Sequence, residues 1–258
     1  MTQTSADLLF ELGTEELPAG PLATMAEALG NSILDGLTHH GLEVGSSKIF
    51  ATPRRLAVLV TGVSLVAPDK TVEALGPPVT AARDKQGDWT PAALGFAKKQ
   101  GVDVTDLTVI EASKGDRLGV RRTESGARAV AVLPEILANA VASIPVTKRM
   151  RWGRERHEFL RPIQWVLALL DTQVIDVAVM GINSDRHTLG HRFHHPEAIT
   201  LESPAKYEET LLAAYVLADF DLRRERIRSQ VVAIADGLHA NAVIDEALLN
   251  EVTGLVEW

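Results

Sequence analysis

From Pro21 onward the apolar side chains Leu22, Met25, Ala26, Leu29, Ile33 and Leu37 recur at helical spacing, until Gly41 offers a left-handed stop. That stripe commits the segment to an amphipathic helix with one face on a core. The strand-like segments around it are short. Residues 8–12 are closed by Gly13 and Thr14, and 48–52 and 56–63 flank a Pro53-Arg54-Arg55 turn, the second of them rich in valine. A polar stretch marked by proline and glycine, 67–91, reads as a connection. Beyond it the pattern gives a short helix at 92–100 ended by Gly101, a strand at 117–123 and an apolar helix at 132–144. After a basic loop come an apolar segment, 159–170, a β-branched strand, 174–180, a helix from Ser203 or Pro204 carrying Tyr207, Leu211 and Leu212, and another at 220–235.

Strands and helices mix without a regular βαβ beat, so the expected class is α+β. With 258 residues the chain lies between one large domain and two ordinary ones. The reading places an α+β domain at 1–196, with 67–150 as an inserted or peripheral substructure, and a mainly helical segment at 197–258. Ala247, Leu248, Val252 and Leu255 carry a helical stripe almost to the last residue, with no cap or polar tail after it. The chain is therefore expected to be the front piece of a longer protein, truncated at its C-terminus. No internal repeat is present.

The formal charge of −8, from 34 acidic against 26 basic side chains, argues against general coating of nucleic-acid phosphates, so any such surface must be local. Cysteine is absent, which removes disulfides, thiolate metal sites and cysteine nucleophiles, and suits a reducing cytoplasm. Residues 1–7 are polar with no basic n-region, and the apolar run at 165–170 is far too short to span a bilayer. The expectation is a soluble, cytoplasmic protein without a membrane partner.

Three glutamates, Glu11, Glu15 and Glu16, crowd the stretch LLFELGTEELPAG at 8–20. General acid–base work by paired carboxylates needs a raised pKa and a shared cleft. The plainer reading is favoured. Glu11 sits on the solvent side of a strand whose Leu8, Phe10 and Leu12 face inward, and Thr14 caps a helical turn that sets Glu15 and Glu16 at the positive end of its dipole. Arg54 and Arg55, at a turn fixed by Pro53, suit a phosphate or a buried carboxylate, and pairing with Glu11 is preferred.

The basic segment TKRMRWGRERH, 147–157, carries Lys148, Arg149, Arg151, Arg154 and Arg156 against Glu155 alone. Two readings weigh equally: a phosphate-contacting loop with Trp152 stacked on a base, or a solvated loop paired with the chain's own carboxylates while Trp152 packs in the core. His187, His191, His194 and His195 lie close together, but no carboxylate or cysteine completes a recognisable ligand set, so no metal site is assigned. Gly190 permits a tight bend there, and His191 and Arg192 are expected to donate hydrogen bonds to backbone carbonyls or to RNA. On the helix at 220–235, Ile227 should face the core and the neighbouring arginines should form a solvated or partner-facing surface.

LLFELGTEELPAG (8–20), ATPRRLAVLV (51–60), KRMRWG (148–153), FLRPIQWVLALL (159–170), TLGHRF (188–193) and EVTGLVEW (251–258) stand in an order that resembles the beta subunit of the bacterial two-subunit glycyl-tRNA synthetase. The resemblance covers nearly the whole chain. It implies a ligase of two alpha and two beta chains. In it the alpha subunit's class II core handles glycine and ATP with magnesium, and the beta subunit serves recognition of glycine tRNA and assembly. It also implies a downstream helical region similar to HD phosphohydrolases and a C-terminal anticodon-binding domain, and a fold resembling the editing-like domains of the phenylalanyl-tRNA synthetase beta chain.

This chain has no phosphate loop and no GxGxxG run, so no cofactor is assigned to it and it is expected to be inactive alone. No catalytic or metal-binding residue is named. The tRNA-contact candidates are Lys148, Arg149, Arg151, Trp152, Arg154 and Arg192. Two rival roles remain: an assembly scaffold that touches no RNA, and a hydrolytic editing-like domain, for which no nucleophile–base spacing stands out.

Overall fold

The computed structural model describes residues 4–84, 86–112, 115–153 and 157–258. In chain order its first elements are β1 (Ser5–Thr14), α1 (Leu22–His39), β2 (Ser47–Thr52), β3 (Arg55–Ser64), β4 (Lys70–Pro78), α2 (Pro91–Gln100), β5 (Thr108–Ile110) and β6 (Arg117–Glu124). They are followed by α3 (Ala129–Ser143), β7 (Met150–Trp152), β8 (His157–Phe159), β9 (Ile163–Leu170), β10 (Gln173–Val174), β11 (Ala178–Val179) and β12 (Ile182–Asp185). The last are β13 (His187–Leu189), β14 (Ala198–Thr200), α4 (Tyr207–Ala213), α5 (Phe220–Gly237) and α6 (Glu246–Thr253). Helices and largely antiparallel sheets make this an α+β chain, as the unperiodic mixing of patterns implies. Its contacts define two compact units, residues 1–67 with 127–258, and residues 68–126.

The larger unit is built on a sheet in the order β11-β12-β9-β1-β3-β2, with β10 also paired to β9. β1 lies inside it, antiparallel to both β3 and β9. Side chains alternate across a strand, so β1 sends Leu8, Phe10 and Leu12 to one face and Leu9 and Glu11 to the other. The first face receives α1 and α3 through Leu22, Met25, Leu29, Ile33, Leu133 and Leu137. The second is covered by Leu201, Tyr207, Leu211, Val216 and Ala218. Each fully buried leucine contributes about 1.5–3 kcal/mol, so burial on both faces makes β1 a principal anchor of the fold.

The smaller unit is an antiparallel sheet, β4-β6-β5, with α2 beside it around Ala93, Ala97, Leu107, Leu118 and Val120. Thr90 caps α2 by accepting from the Ala93 N–H, Pro91 opens it, and Gly101 closes it at φ 67°.

Three local expectations are corrected, and one segment left without an element type is divided. The presumed connection at 67–91 contains β4, because Pro77 and Pro78 stand at the strand's end, where a missing N–H costs no ladder bond. The strand expected at 174–180 is split into β10 and β11, and a turn with Met180 at φ 48° and Gly181 at φ 82° leads on to β12. The segment 159–170 divides at Pro162 into β8 and β9. Thr14 caps nothing: it ends β1, its hydroxyl is buried without a partner among the described residues, and no helical turn includes Glu15 or Glu16.

Candidate functional site

Glu11 is fully buried, which overturns its expected place on a solvated face: residues 201–218 cover the side of β1 that it occupies. One carboxylate oxygen accepts from the indole N–H of Trp165 on β9 and from the Thr188 hydroxyl on β13 at 2.6 Å. The other accepts from the Tyr207 hydroxyl on α4 and from Nη1 of Arg55 at 3.4 Å. Arg55 is equally enclosed. Its Nη2 donates to the Leu189 carbonyl at 2.7 Å, its Nη1 to Thr188 at 3.2 Å, and its Nε to Thr52 at 3.3 Å. Glu257 reaches the same cluster, 3.5 Å from Arg55 Nε, and accepts from the Thr52 hydroxyl at 2.7 Å.

Burial alone would lower the pKa of Arg55, but the carboxylates of Glu11 and Glu257 outweigh it and raise the value. Tyr207 is raised well above its ordinary range, first by burial and then by Glu11. The phenol therefore stays a donor. With four donors on its two oxygens, Glu11 has no free position for a substrate or a catalytic water. The cluster is a structural clamp joining β1, β3, β9, β13 and α4, and the preferred pairing of Glu11 with the Arg54-Arg55 turn is realised through Arg55.

Gly13 allows the clamp to close. A Cβ built there would lie 2.0 Å from the Trp165 ring, so only glycine lets that indole cross β1 and reach Glu11.

The basic segment forms the β7–β8 hairpin, with Met150 opposite Phe159 and Trp152 opposite His157. Lys148 and Arg149 are exposed just before it and make no ion pair among the described residues. Arg151 is exposed and pairs with Glu158 across the hairpin. Trp152 is half-buried and packs against the main core. Arg154 lies outside the described residues.

Arg192 belongs to another neighbourhood. It donates to Glu15 at 2.7 Å and to Glu16 at 3.4 Å, fixing the chain beyond β1. His191 donates to a carbonyl through its backbone N–H, to Ala214 at 2.9 Å, while its ring Nδ1 accepts from the backbone N–H groups of Phe193 at 3.2 Å and His194 at 3.3 Å. That matches a pKa pushed down chiefly by burial, with Glu257 opposing and His194 and Arg54 adding to the depression. Gly190 sits where the chain passes close to itself, a Cβ there falling 2.7 Å from the His195 carbonyl oxygen. Among the described residues no group of three or more histidines and carboxylates is placed to hold a metal.

Two features escape the sequence pattern. On α5 it is Arg223, not Ile227, that is buried. Its guanidinium donates to the carbonyls of Leu217 at 2.5 Å, Ala51 at 2.7 Å and Thr253 at 3.1 Å, and burial pushes its pKa down to about 10. Arginine is strongly polar, so periodicity assigns it to solvent. Most of the rest of α5 is exposed, including Leu222, Ile234 and, just past its end, Leu238.

The second feature is Arg54, which is buried to 9% exposure, yet its Nε has no hydrogen-bond partner and its guanidinium forms no ion pair among the described residues. Its pKa is lowered, first by burial, with Arg192 and Arg55 acting in the same direction against Glu257 and Glu15. The adjacent arginines in the TPRR turn signalled this site, but which of them takes Glu11 is decided only by the pairing register of β1 and β3.

Comparison with known proteins gives a consistent result. The family model described as glycyl-tRNA synthetase beta subunit matches residues 8–258. A glycine–tRNA ligase beta subunit of Chromohalobacter salexigens is 48% identical over 254 residues, which is 98% of this chain and 37% of that protein. Those of Pseudomonas savastanoi pv. phaseolicola and Azotobacter vinelandii are 43% and 44% identical, each over 99% of this chain and 37% of the relative. The chain thus spans little more than a third of the length of these relatives.

Proposed function

The chain belongs to the glycyl-tRNA synthetase beta-subunit family, and from that premise we propose that it serves a glycine–tRNA ligase by contacting glycine tRNA and docking on a catalytic alpha subunit. In this reading two alpha and two beta chains act together in the cytoplasm, ATP and magnesium are used at the alpha subunit, and this chain alone forms no bond. The observation that carries the RNA contact is the β7–β8 hairpin: Lys148 and Arg149 stand exposed, with no ion pair among the described residues, in a chain of net charge −8, with Arg151 beside them and Trp152 anchoring the hairpin to the core. Such a cluster can neutralise phosphates without sequence readout. The engaged oxygens of Glu11 support a non-catalytic role and weaken the hydrolytic alternative, which needs a general base beside an open pocket.

Binding of the chain to labelled glycine tRNA and to an unrelated tRNA over a salt series tests this, with Lys148, Arg149 and Arg151 changed together to alanine. The expected result is weaker binding by the triple variant and a shallower salt slope, by up to about three charges. Equal binding by variant and wild type would refute the hairpin contact.

A second role has its own support. The exposed apolar side chains Leu222, Val231, Val232 and Ile234 on α5, with Leu248 and Val252 on α6, form the kind of surface that assembly covers. On this reading α5 and α6 supply the docking face. Charge substitution at Val231 and Ile234 should reduce co-purification with the alpha subunit while leaving RNA binding intact.

A further inference from the structure

A guanidinium taken out of water without an anion partner is costly, and buried arginines are ordinarily paired. Arg55, one residue along, meets that expectation fully, while Arg54 does not. The Arg54 backbone is firmly placed: its carbonyl accepts from the Thr14 N–H at 2.8 Å, and the neighbouring Pro53 carbonyl accepts from Leu17 at 2.6 Å. Its guanidinium lies 5.6 Å from the centre of the Trp165 ring and within electrostatic reach of Arg192, Glu15 and Glu257. The cation thus keeps a ring contact but has no ion pair among the described residues, and of its nitrogens Nε is enclosed without a hydrogen-bond partner.

Next to it runs a series of rings. His191, within electrostatic reach of Arg54, lies 4.5 Å from His194, and His194 lies 5.3 Å from Tyr215. Phe193 is 82% exposed and Tyr215 42% exposed. Tyr215 also holds φ at 60°, a left-handed conformation that a bulky side chain rarely adopts.

We propose that Arg54 binds a phosphate of single-stranded RNA, and that the His194–Tyr215 pair stacks the adjoining base. This rests on the RNA reading of the previous subsection and adds to it a second contact, away from the hairpin. A single-stranded segment fits better than an acidic protein partner because planar bases use the exposed rings while a phosphate takes the buried cation. An acidic peptide would use only the cation.

The test measures binding of the full chain to a fluorescent oligouridylate of about twelve nucleotides, a length that one stacking groove accommodates. It includes Arg54→Met, Tyr215→Gly and the hairpin triple-alanine variant, with a thermal unfolding midpoint for each. Glycine suits φ of 60°, so Tyr215→Gly removes the ring without straining the backbone. The expected result is about tenfold weaker binding for Arg54→Met and for Tyr215→Gly, with a salt slope shallower by about one charge in the former only. The midpoint of Arg54→Met should be unchanged or higher, because a buried unpaired cation has been replaced by an apolar side chain.

A lower midpoint with unaltered affinity would make Arg54 a structural residue and overturn the site. Should Arg54→Met fail to fold, Tyr215→Gly decides, and full affinity in that variant overturns the proposal. If the hairpin variant loses binding while the other two retain it, this site fails and the hairpin reading stands. Absence of wild-type binding defeats both. Displacement of the RNA by a polyglutamate peptide of equal charge, with no effect of Tyr215→Gly, would assign Arg54 to an acidic protein partner and overturn the RNA contact.

Discussion

The clamp around Glu11 and the hairpin around Arg151 are both dense in charge, and both pair a tryptophan with arginine and glutamate, yet they are opposite kinds of structure. In the clamp every hydrogen-bonding position of Glu11 is occupied and the side chains of Glu11 and Arg55 are fully enclosed. In the hairpin, the Arg151–Glu158 pair is exposed and Lys148 and Arg149 are unpaired among the described residues. The difference shows that charge takes its meaning from what covers it. A buried ion pair is held by geometry and is destabilising when broken, whereas an exposed one contributes little and is free to meet another molecule.

The largest expected effect lies in the clamp. Glu11→Ala breaks a fully buried ion pair and leaves Arg55 with Glu257 alone, 3.5 Å from its Nε, and should cost about 3–5 kcal/mol in urea unfolding. A loss below about 1 kcal/mol, the scale of an exposed pair, would erase the contrast with the hairpin. Tyr207→Phe removes one donor to Glu11 and keeps the ring, so about 1.5–3 kcal/mol should be lost. A similar loss in the Glu11→Ala background would show that the hydroxyl does not act through the carboxylate.

Between the two extremes lies the half-exposed pair of Lys48 with Asp219 at 2.9 Å, and with Glu208 at 2.6 Å. Burial works to raise the Asp219 pKa, but the Leu222 N–H and Lys48 outweigh it and hold the value below its usual 3.8. For Lys48, burial lowers and the two carboxylates raise, with a net value above 10.5. A depressed carboxylate contributes stability that is present above its unfolded pKa and lost as pH falls through the folded one. A raised ammonium contributes stability that is present below its unfolded pKa and lost as pH rises through the folded one. The advantage of wild type over Lys48→Met should therefore be flat near neutrality, at under about 1 kcal/mol after solvent screening, and should close at both acid and alkaline ends. An advantage that grows on acidification would contradict the sign. Least of all, Arg151→Ala should shift stability by no more than about 0.5 kcal/mol, and a larger loss in thermal unfolding would make the hairpin structural after all.

Much of the scaffold was readable because local pattern suffices for it. The stripe from Leu22 to Leu37 specifies α1, and the strands flanking Pro53 emerge close to their observed bounds. What failed required knowledge of distant segments. An alternating strand ordinarily has one wet face, but Glu11 meets Tyr207 across 196 residues, and no window of sequence around β1 contains that covering layer. Arg223 was misplaced for a related reason: carbonyls at Ala51 and Thr253 capture its guanidinium, and they belong to no helical period. Arg54 and Arg55 are the same residue type at adjacent positions. The fold alone assigns one to Glu11 and leaves the other with no ion pair among the described residues.

The place of Glu11 in β1 also bears on how the sheet finds its alignment. Glu11 stands opposite Ala57 on one side and Leu167 on the other, so a slip of β1 by a single residue would turn its carboxylate toward the aliphatic layer of α1 and α3. The buried side chains described there are apolar, and a misaligned sheet would carry an unsolvated charge costing several kcal/mol. A strand made only of Leu8, Leu9, Phe10 and Leu12 would tolerate several near-equivalent pairings. One acidic side chain among them makes a single alignment acceptable, so Glu11 acts as a locating pin for the assembling sheet.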